Sequence, residues 1–214
     1  KRDMRKTTVI VFVIILLSFV VSAYFYPHMP EEMASHWNVL GEVDGYMPKF
    51  WGLFLIPIVL SVLAVLFTFI PEIDPLKENI EKFRKYYDFF IILIFIFILS
   101  INLQVILWNL GVEISPNIIV PAGVGILFFY LGILMKNTRR NWHIGIRTPW
   151  TLSNERVWEK THQIGGTLFE IAGIVAVFGA LFVRYSLFFI FVPLILIAVF
   201  TFIYSYIVYR QEMK

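Results

Sequence analysis

The chain contains no cysteine, and this absence alone removes several classes of chemistry. Without a thiol there is no disulfide, no thiolate metal site and no cysteine nucleophile. The sequence also lacks a glycine-rich phosphate loop, a G-x-S-x-G motif, an H-E-x-x-H motif and the aspartate pair of an intramembrane protease. The usual signatures of nucleotide-binding proteins, serine hydrolases and zinc proteases are therefore missing.

Charged residues are also scarce, at 15% of the 214 residues, whereas 59% of the residues are hydrophobic and 18% are aromatic. Soluble domains usually carry about 25% charged residues, so the composition predicts a membrane protein whose main partner is the lipid bilayer. The pI near 9.1 does not indicate direct nucleic-acid binding, because the basic residues are divided among short loops.

Six apolar runs, each long enough to cross a hydrocarbon layer of about 30 Å, account for most of the chain. We predict an all-α, polytopic bundle of six transmembrane helices in the cell (cytoplasmic) membrane. Residues 21–23 resemble a signal-peptidase site, but we interpret the first run as a membrane span. The predicted spans are residues 7–26, 51–70, 86–110, 118–135, 165–183 and 186–209.

Lysine and arginine are distributed unevenly between alternate connections. One set holds four at the N-terminus, four in residues 71–85, six in residues 136–160 and two at the C-terminus, whereas the other set holds only Lys49 and Arg184. Cytoplasmic loops are enriched in these two residues. We therefore predict that both termini are cytoplasmic and that the loop of residues 27–50 faces outside.

The connections are short apart from residues 27–50 and 136–164, which favours a single integrated membrane domain over residues 1–214. Within it we distinguish an N-terminal module of two spans, residues 7–85, and a second module of four spans, residues 86–214. Small residues recur on the fourth and fifth spans, where they predict close helix packing.

The outer loop carries a group of ionisable side chains. If Pro30 opens a short helix, Glu32 and His36 lie four residues apart on one face, and with His28 they form a candidate site for a divalent metal near Asp44. The spacing matches no specific zinc signature, so a docking surface for an extracellular ligand is the alternative.

Two further features of the outer loop concern its shape and position. A turn is predicted at residues 41–45, because an Asp-Gly pair favours the positive φ that tight turns require. Trp37, Tyr46 and Trp51 are expected at the level of the lipid headgroups, where aromatic side chains are enriched.

The longest polar passage of the chain, residues 139–166, lies between the fourth and fifth spans. It holds three of the six tryptophans and two of the four histidines. Loops of this composition between apolar spans are where recognition or chemistry is expected.

A helix is predicted within this inner loop. If Ser153 or Asn154 caps the helix, then Glu155, Glu159 and His162 fall along one of its faces. The Glu159-x-x-His162 spacing is used in dimetal helix bundles, but those need a second copy on another helix, which this sequence lacks.

We therefore interpret the segment as an amphipathic helix at the membrane surface. In this interpretation Trp150, Val157 and Trp158 touch lipid while the charged side chains face water.

Glu170 is the only acidic residue placed well inside a predicted span. Ionisable groups within a membrane usually face a partner or a water-filled cavity. Arg147 or His143 from the preceding loop, or Asn102 or Gln104 from the third span, are the candidate partners. Alternatively, Glu170 extends to the membrane surface.

Two stretches resemble a known family. The outer PHMPEEMASHWNVLGEVDGYMPK resembles the motif of a bacterial and archaeal membrane domain of unknown function, and the inner GIRTPWTLSNERVWEKTHQIGG resembles the hallmark of the SdpI family. That family comprises the membrane immunity proteins of the Sdp killing-factor system. The matching residues are His36, Trp37, Asn38, Gly41, Gly45 and Lys49 outside, and Gly145, Arg147, Thr148, Pro149, Trp150, Trp158, His162 and Gly165 inside.

The resemblance implies a multipass membrane protein that senses or resists an extracellular toxin peptide and that binds a soluble cytoplasmic repressor. The outer loop, including Asp44, would meet the ligand. The inner loop, including Glu155, Glu159 and Glu170, would meet the partner. The alternatives are a membrane-embedded, metal-dependent enzyme and a small-molecule transporter with Glu170 in its pathway.

Overall fold

The computed structural model describes residues 6–213 and contains six helices that are long and apolar enough to cross a membrane. The number of predicted spans and the helical fold class are confirmed. The long helices are α1 (Lys6–Phe25), α2 (Lys49–Ile73), α3 (Lys77–Asn109), α4 (Pro116–Asn137), α6 (Glu155–Gly179) and α7 (Phe188–Glu212), and α5 (Pro149–Ser153) is a short helix in the inner loop.

Two helices begin well before the predicted spans. α3 begins at Lys77 and α6 begins at Glu155, so each includes polar residues that were assigned to loops. Hydropathy locates only the apolar part of a helix, whereas the backbone stays helical until a cap or turn ends it. Because α3 is continuous across residues 85 and 86, the boundary between the two predicted modules falls inside a helix, and this division remains a prediction.

The outer loop forms an antiparallel β-hairpin of β1 (Glu32–Trp37) and β2 (Val43–Pro48), with irregular pairing after Ala34. The short helix predicted after Pro30 is therefore wrong. Met33 explains the position of the hairpin: its side chain is fully buried and packs over Gly52 at the start of α2, where a Cβ would lie 2.8 Å from the Met33 sulfur.

The alternating helices give the molecule two ends. The hairpin end contains the hairpin, residues 110–115 and residues 180–187, which meet at Asn117: its side chain donates to the carbonyls of Val39 and Val183. The loop end contains residues 74–76 and 138–154, which are joined by a hydrogen bond from the backbone of Trp142 to the Asp74 carboxylate.

The largest apolar core joins α1, α2 and α3, and Leu134 of α4 also contributes to it. α4 and α6 form the most extensive helix pair. They approach through reciprocal glycines: a Cβ on Gly166 would lie 2.7 Å from the carbonyl oxygen of Gly132, and one on Gly173 would lie 2.5 Å from that of Gly125. This contact agrees with the close packing predicted from the small residues of these two spans.

Candidate functional site

The turn of the hairpin is built by Asn38 and Gly41. The side-chain oxygen of Asn38 accepts hydrogen bonds from the backbone of Leu40 and Glu42, and its amide donates to the Glu42 carboxylate at 2.9 Å. Gly41 adopts a φ of 83°, which favours glycine. The turn is therefore at residues 38–42, rather than at the predicted 41–45.

Asp44 and Gly45 lie within β2 instead of in the turn, beside the irregular pairing of the two strands. A Cβ on Gly45 would lie 2.9 Å from the Cβ of His36. The small residue at position 45 therefore allows His36 to cross β2 closely.

His36 and Asp44 form the most accessible ionisable pair of the hairpin. The Nδ1 atom of His36 lies 2.5 Å from a carboxylate oxygen of Asp44, and the His36 side chain is 72% exposed. Within residues 6–213 no group of three or more metal-ligating residues is placed to hold a metal ion. The predicted metal set of His28, Glu32 and His36 is therefore not assembled, because it depended on the helix that the hairpin replaces.

Trp37 and Lys49 hold the hairpin in place instead of being fully displayed to solvent. The ring of Trp37 packs edge-on against Trp108 of α3, with 5.3 Å between centroids. Lys49 pairs with Glu31 at 2.7 Å, and its ammonium group lies over the Tyr26 ring. The expected headgroup position thus suits the exposed Tyr46 and Trp51 better than Trp37.

Asn109, near the end of α3, completes the attachment of the hairpin. Its side-chain oxygen accepts from the Ala34 amide at 2.8 Å, and its amide donates to the Ala34 carbonyl at 3.0 Å. The side chain thus satisfies both backbone groups on the outer edge of β1, as a neighbouring strand would.

At the loop end, the buried Asp74 joins the α2–α3 connection to the inner loop. Its carboxylate accepts from the backbone of Trp142 at 2.9 Å and contacts Nδ1 of His143 at 2.7 Å. Burial opposes its ionisation, but the bonds from His143 and from the backbone of Leu76 and Trp142 outweigh it and hold the pKa of Asp74 below its ordinary value.

Asn141 shapes the same segment from within. Its side chain is fully buried, accepts from the backbone of His143 and Ile144, and donates to the carbonyls of Arg139 and Ile144. Asn79 of α3 adds a bond to the carbonyl of Arg140 at 2.9 Å. The inner loop is consequently an ordered structure with its backbone groups satisfied by side chains.

His162 and Trp158 form the centre of the loop end. Both side chains are buried, and their rings stack with 3.9 Å between centroids. Nδ1 of His162 faces the Trp158 carbonyl at 2.8 Å and must donate, while Nε2 accepts from the Ile146 amide at 2.8 Å. The ring is therefore a neutral imidazole with both nitrogens occupied.

The prediction that Val157 and Trp158 touch lipid is wrong, because both side chains are fully buried against the loop. The amphipathic face of this segment packs on protein and not on the bilayer. Gly145, with a φ of 125°, lets the chain pass directly over the His162–Trp158 stack. The predicted cap is confirmed: the Asn154 side chain accepts from the backbone of Arg156 and Val157.

Thr148 and Trp150 attach the loop to α7. Thr148 caps α5 in a reciprocal arrangement with Thr151, and its hydroxyl donates to Ser205 of α7 at 3.0 Å. Trp150 packs on Phe202 and Tyr206. Both residues therefore maintain the loop conformation.

The remaining residues of the predicted inner set lie on the surface. Arg147 is exposed and donates to the Trp142 carbonyl at 2.7 Å, and Glu155 is exposed in the first turn of α6. Glu159 pairs with Arg139 at 2.6 Å, with both side chains half exposed.

Glu170 pairs with Lys136 of α4 at 2.7 Å, and the two side chains are 22% and 28% exposed. The candidate partners Arg147, His143, Asn102 and Gln104 are therefore wrong. Asn102 instead donates to Ser18, and Gln104 to the Ile114 carbonyl. Lys136 follows the predicted fourth span, where a basic residue also fits the positive-inside rule, so no sequence pattern pairs it with Glu170.

Sequence reasoning also missed Asp74, Asn109 and Asn117. Each is a single polar residue at a helix end, and no spacing rule distinguishes it from a solvated one. Burial reveals their roles, since Asp74 is 2% exposed and Asn117 is 6% exposed.

The fold and these two regions define a class: a multi-pass protein of the cell membrane with an ordered hairpin at one end and an ordered loop at the other. Residues 13–61 match DUF1648, a domain of unknown function, and residues 137–205 match the SdpI/YfhL protein family. Both matches fall on the parts of the chain that carry the two motifs, so the predicted resemblance to this family and to that domain is confirmed.

Among curated proteins, the Immunity protein SdpI of Bacillus subtilis (strain 168) is 28% identical to this chain over 193 residues, which is 90% of each sequence. The similarity therefore extends beyond the inner motif to both parts of the protein. No solved structure matches the chain.

Proposed function

We propose that this protein is a membrane immunity protein that protects the cell producing it from an extracellular toxin peptide. The observation that carries the proposal is the similarity to the Immunity protein SdpI over 90% of both chains. The similarity includes the membrane spans as well as the two motifs, so it concerns the whole protein and not one segment.

We assign the toxin to the hairpin end. The side chains of Val39 and Tyr46 are 62% and 65% exposed there, beside the exposed His36–Asp44 pair. Apolar side chains next to a hydrogen-bonding pair suit an amphipathic peptide, and the anchored strands pre-organise this surface so that little conformational entropy is lost on binding.

We assign a cytoplasmic regulator to the loop end, in line with the positive-inside rule for the basic loops. Arg147, Glu155 and the half-exposed Trp142 form a mixed surface of charge and aromatic area around the loop. Arginine and tryptophan are common anchors of protein interfaces.

α3 supplies a physical connection between the two assigned surfaces. One rigid helix carries Asn109, which binds β1, and Asn79, which binds the inner loop. Toxin binding that displaces the hairpin would shift α3 and thereby change the loop presented to the regulator.

Survival of a sensitive strain that expresses this protein, when challenged with the killing-factor peptide of the Sdp system, tests the proposed function. We expect protection from the wild-type protein and loss of protection when His36→Ala and Asp44→Asn are combined. Arg147→Ala should retain protection while losing capture of the regulator.

Equal killing with and without a wild-type protein that is verified in the membrane would reject the toxin-immunity function. Tyr24→Ala is a matched control for the hairpin variants, because Tyr24 is 68% exposed but lies in α1 outside the hairpin. It should leave protection unchanged.

A further inference from the structure

An apolar groove runs along the outer surface of α4 and α6 at membrane depth. Its volume is about 310 Å³, and Ile126, Phe129, Ile133 and Ile174 are among its lining side chains. Gly125 and Gly173 form part of its wall. Because neither residue has a side chain, the surface is recessed where the two helices touch. Phe89 and Leu93 of α3 border one side of the groove.

The groove gives way to polar cavities toward the loop end. Lys136 lies one helical turn after Ile133, and its partner Glu170 lies one turn before Ile174. Beyond this ion pair are two cavities of about 280 and 660 Å³, which share Lys136, Glu159 and Gln163 as lining residues.

Charges of both signs surround the polar cavities, and each is held in an ion pair. The pairs are Lys136 with Glu170 at 2.7 Å, Arg139 with Glu159 at 2.6 Å, and Lys160 with Glu212 at 2.6 Å, with Arg156 also 3.3 Å from Glu212.

α6 is the least apolar of the six long helices, in agreement with a polar surface at this position. Its best span window has a mean hydropathy of 1.2, against 2.4 to 2.9 for the other five spans. Glu159, Gln163 and Thr167 follow one another at intervals of four residues and are exposed on one side of the helix. Such a polar stripe suits a polar headgroup better than an acyl chain.

We propose that this surface is a binding site for a phospholipid with a zwitterionic, amine-bearing headgroup, of the phosphatidylethanolamine type. One acyl chain occupies the apolar groove over Gly125 and Gly173. The phosphate lies among Lys136, Arg139 and Lys160, and the primary ammonium donates hydrogen bonds to Glu159.

Charge complementarity selects this headgroup over an anionic one. A net-anionic lipid would place unbalanced negative charge beside Glu159 and Glu170, whereas a zwitterion matches both signs of the site. A quaternary ammonium carries no N–H donor, so phosphatidylcholine would lose the charge-assisted bonds to Glu159. The site should therefore discriminate among lipids with identical chains.

Native mass spectrometry of the full-length protein tests this proposal with phosphatidylethanolamine, phosphatidylcholine and phosphatidylglycerol of identical chains. Wild-type protein should retain phosphatidylethanolamine about tenfold better than the other two, the ratio expected for one charge-assisted hydrogen bond. Equal retention of all three lipids would overturn the proposal and indicate nonspecific annular lipid.

Ile126→Trp tests the groove, because Ile126 is 55% exposed and a larger ring there fills the space without entering the core. It should lower retention of all three lipids, whereas Ile195→Trp, at a 60% exposed position of α7, should not. If Ile126→Trp does not fold, Ile174→Phe serves the same purpose. Unchanged lipid retention in a folded groove variant would contradict the proposal. So would the loss of a protein dimer in that variant, because the groove would then be covered by a second copy of the chain and not by lipid.

Glu159→Gln tests the headgroup. Removing this carboxylate deletes the ammonium acceptor and leaves Arg139 without its partner, so phosphatidylethanolamine should lose its advantage and phosphatidylglycerol should gain. Glu155→Gln is the matched control, since Glu155 is exposed one turn earlier in α6 and lines neither cavity. Unaltered lipid preference in Glu159→Gln would reject the assigned headgroup position.

Discussion

The hairpin and the inner loop are the two motif-bearing regions of the molecule, and they are ordered by different means. The hairpin relies on its own turn and on amide side chains that satisfy strand backbone, so its ionisable pair stays exposed. The loop relies on buried side chains, above all His162 and Asp74, that bind its backbone from beneath.

The comparison shows that many motif residues maintain the local backbone conformation and are not themselves exposed for binding. In the hairpin, Asn38, Gly41 and Lys49 form the shape while His36 is displayed. In the loop, most motif residues are structural, and Arg147 and Pro149 are the exposed exceptions. The recognition proposed for the loop would therefore use Arg147 together with residues outside the motif positions.

The largest expected effect is a difference in stability between variants of the two histidines His162 and His36. His162→Ala removes a buried ring and both of its hydrogen bonds, so we expect a loss of about 3 kcal/mol in the free energy of unfolding. Equilibrium unfolding in detergent measures this loss. His36→Ala, at an exposed position, should cost less than about 0.5 kcal/mol. Similar losses in the two variants would mean that the regions do not differ as described.

The second prediction compares two asparagines of α3. Asn109→Ala leaves both backbone groups of Ala34 unpaired and should destabilise the hairpin by about 1–3 kcal/mol. Hydrogen exchange should rise in residues 30–48 and stay unchanged in residues 138–147. Asn79→Ala should produce the reverse pattern, because it binds the Arg140 carbonyl. Each variant cuts the bond that joins one region to α3, so a change at the far end as well would contradict the assignment of one asparagine to each region.

The third prediction concerns acid. Because the pKa of Asp74 is depressed in the folded protein, its ionised form contributes stability above its ordinary pKa of 3.8, and this contribution is lost as pH falls through the lower folded-state value. The difference in Tm between wild type and Asp74→Asn should therefore be largest above that pH and shrink below it. A difference in Tm that stays the same across this pH range would contradict the contribution assigned to Asp74.

The smallest effect on stability is expected for Arg147→Ala. Its hydrogen bond to the Trp142 carbonyl is exposed, so the free energy of unfolding should change by less than about 0.5 kcal/mol. Pull-down of the proposed cytoplasmic regulator should nevertheless fail. A variant that still captures the regulator would assign recognition elsewhere on the loop end.

Much of the fold could be predicted, because membrane spans depend on local composition. The six apolar runs, the Asn154 cap and the close packing through small residues all follow from short-range patterns in the sequence. The resemblance to the SdpI family also followed from the two motifs, which lie in the matched regions.

The errors arose where a long-range contact decided the outcome. Pro30 and the spacing of Glu32 and His36 suited a helix, but packing of Met33 on Gly52 and pairing with β2 made β1 a strand. Trp158 was expected in lipid, yet the loop that folds back across it supplies a protein environment. Neither contact leaves a periodic signal in the sequence.

The central claim is that the two regions are recognition surfaces on opposite sides of the membrane. The absence of cysteine allows a direct measurement, in which single variants Tyr46→Cys and Trp142→Cys are labelled with a membrane-impermeant maleimide. Both native residues are exposed, at 65% and 51%. In intact cells the account predicts labelling at position 46 at once and labelling at position 142 only after lysis; the reverse pattern would contradict it.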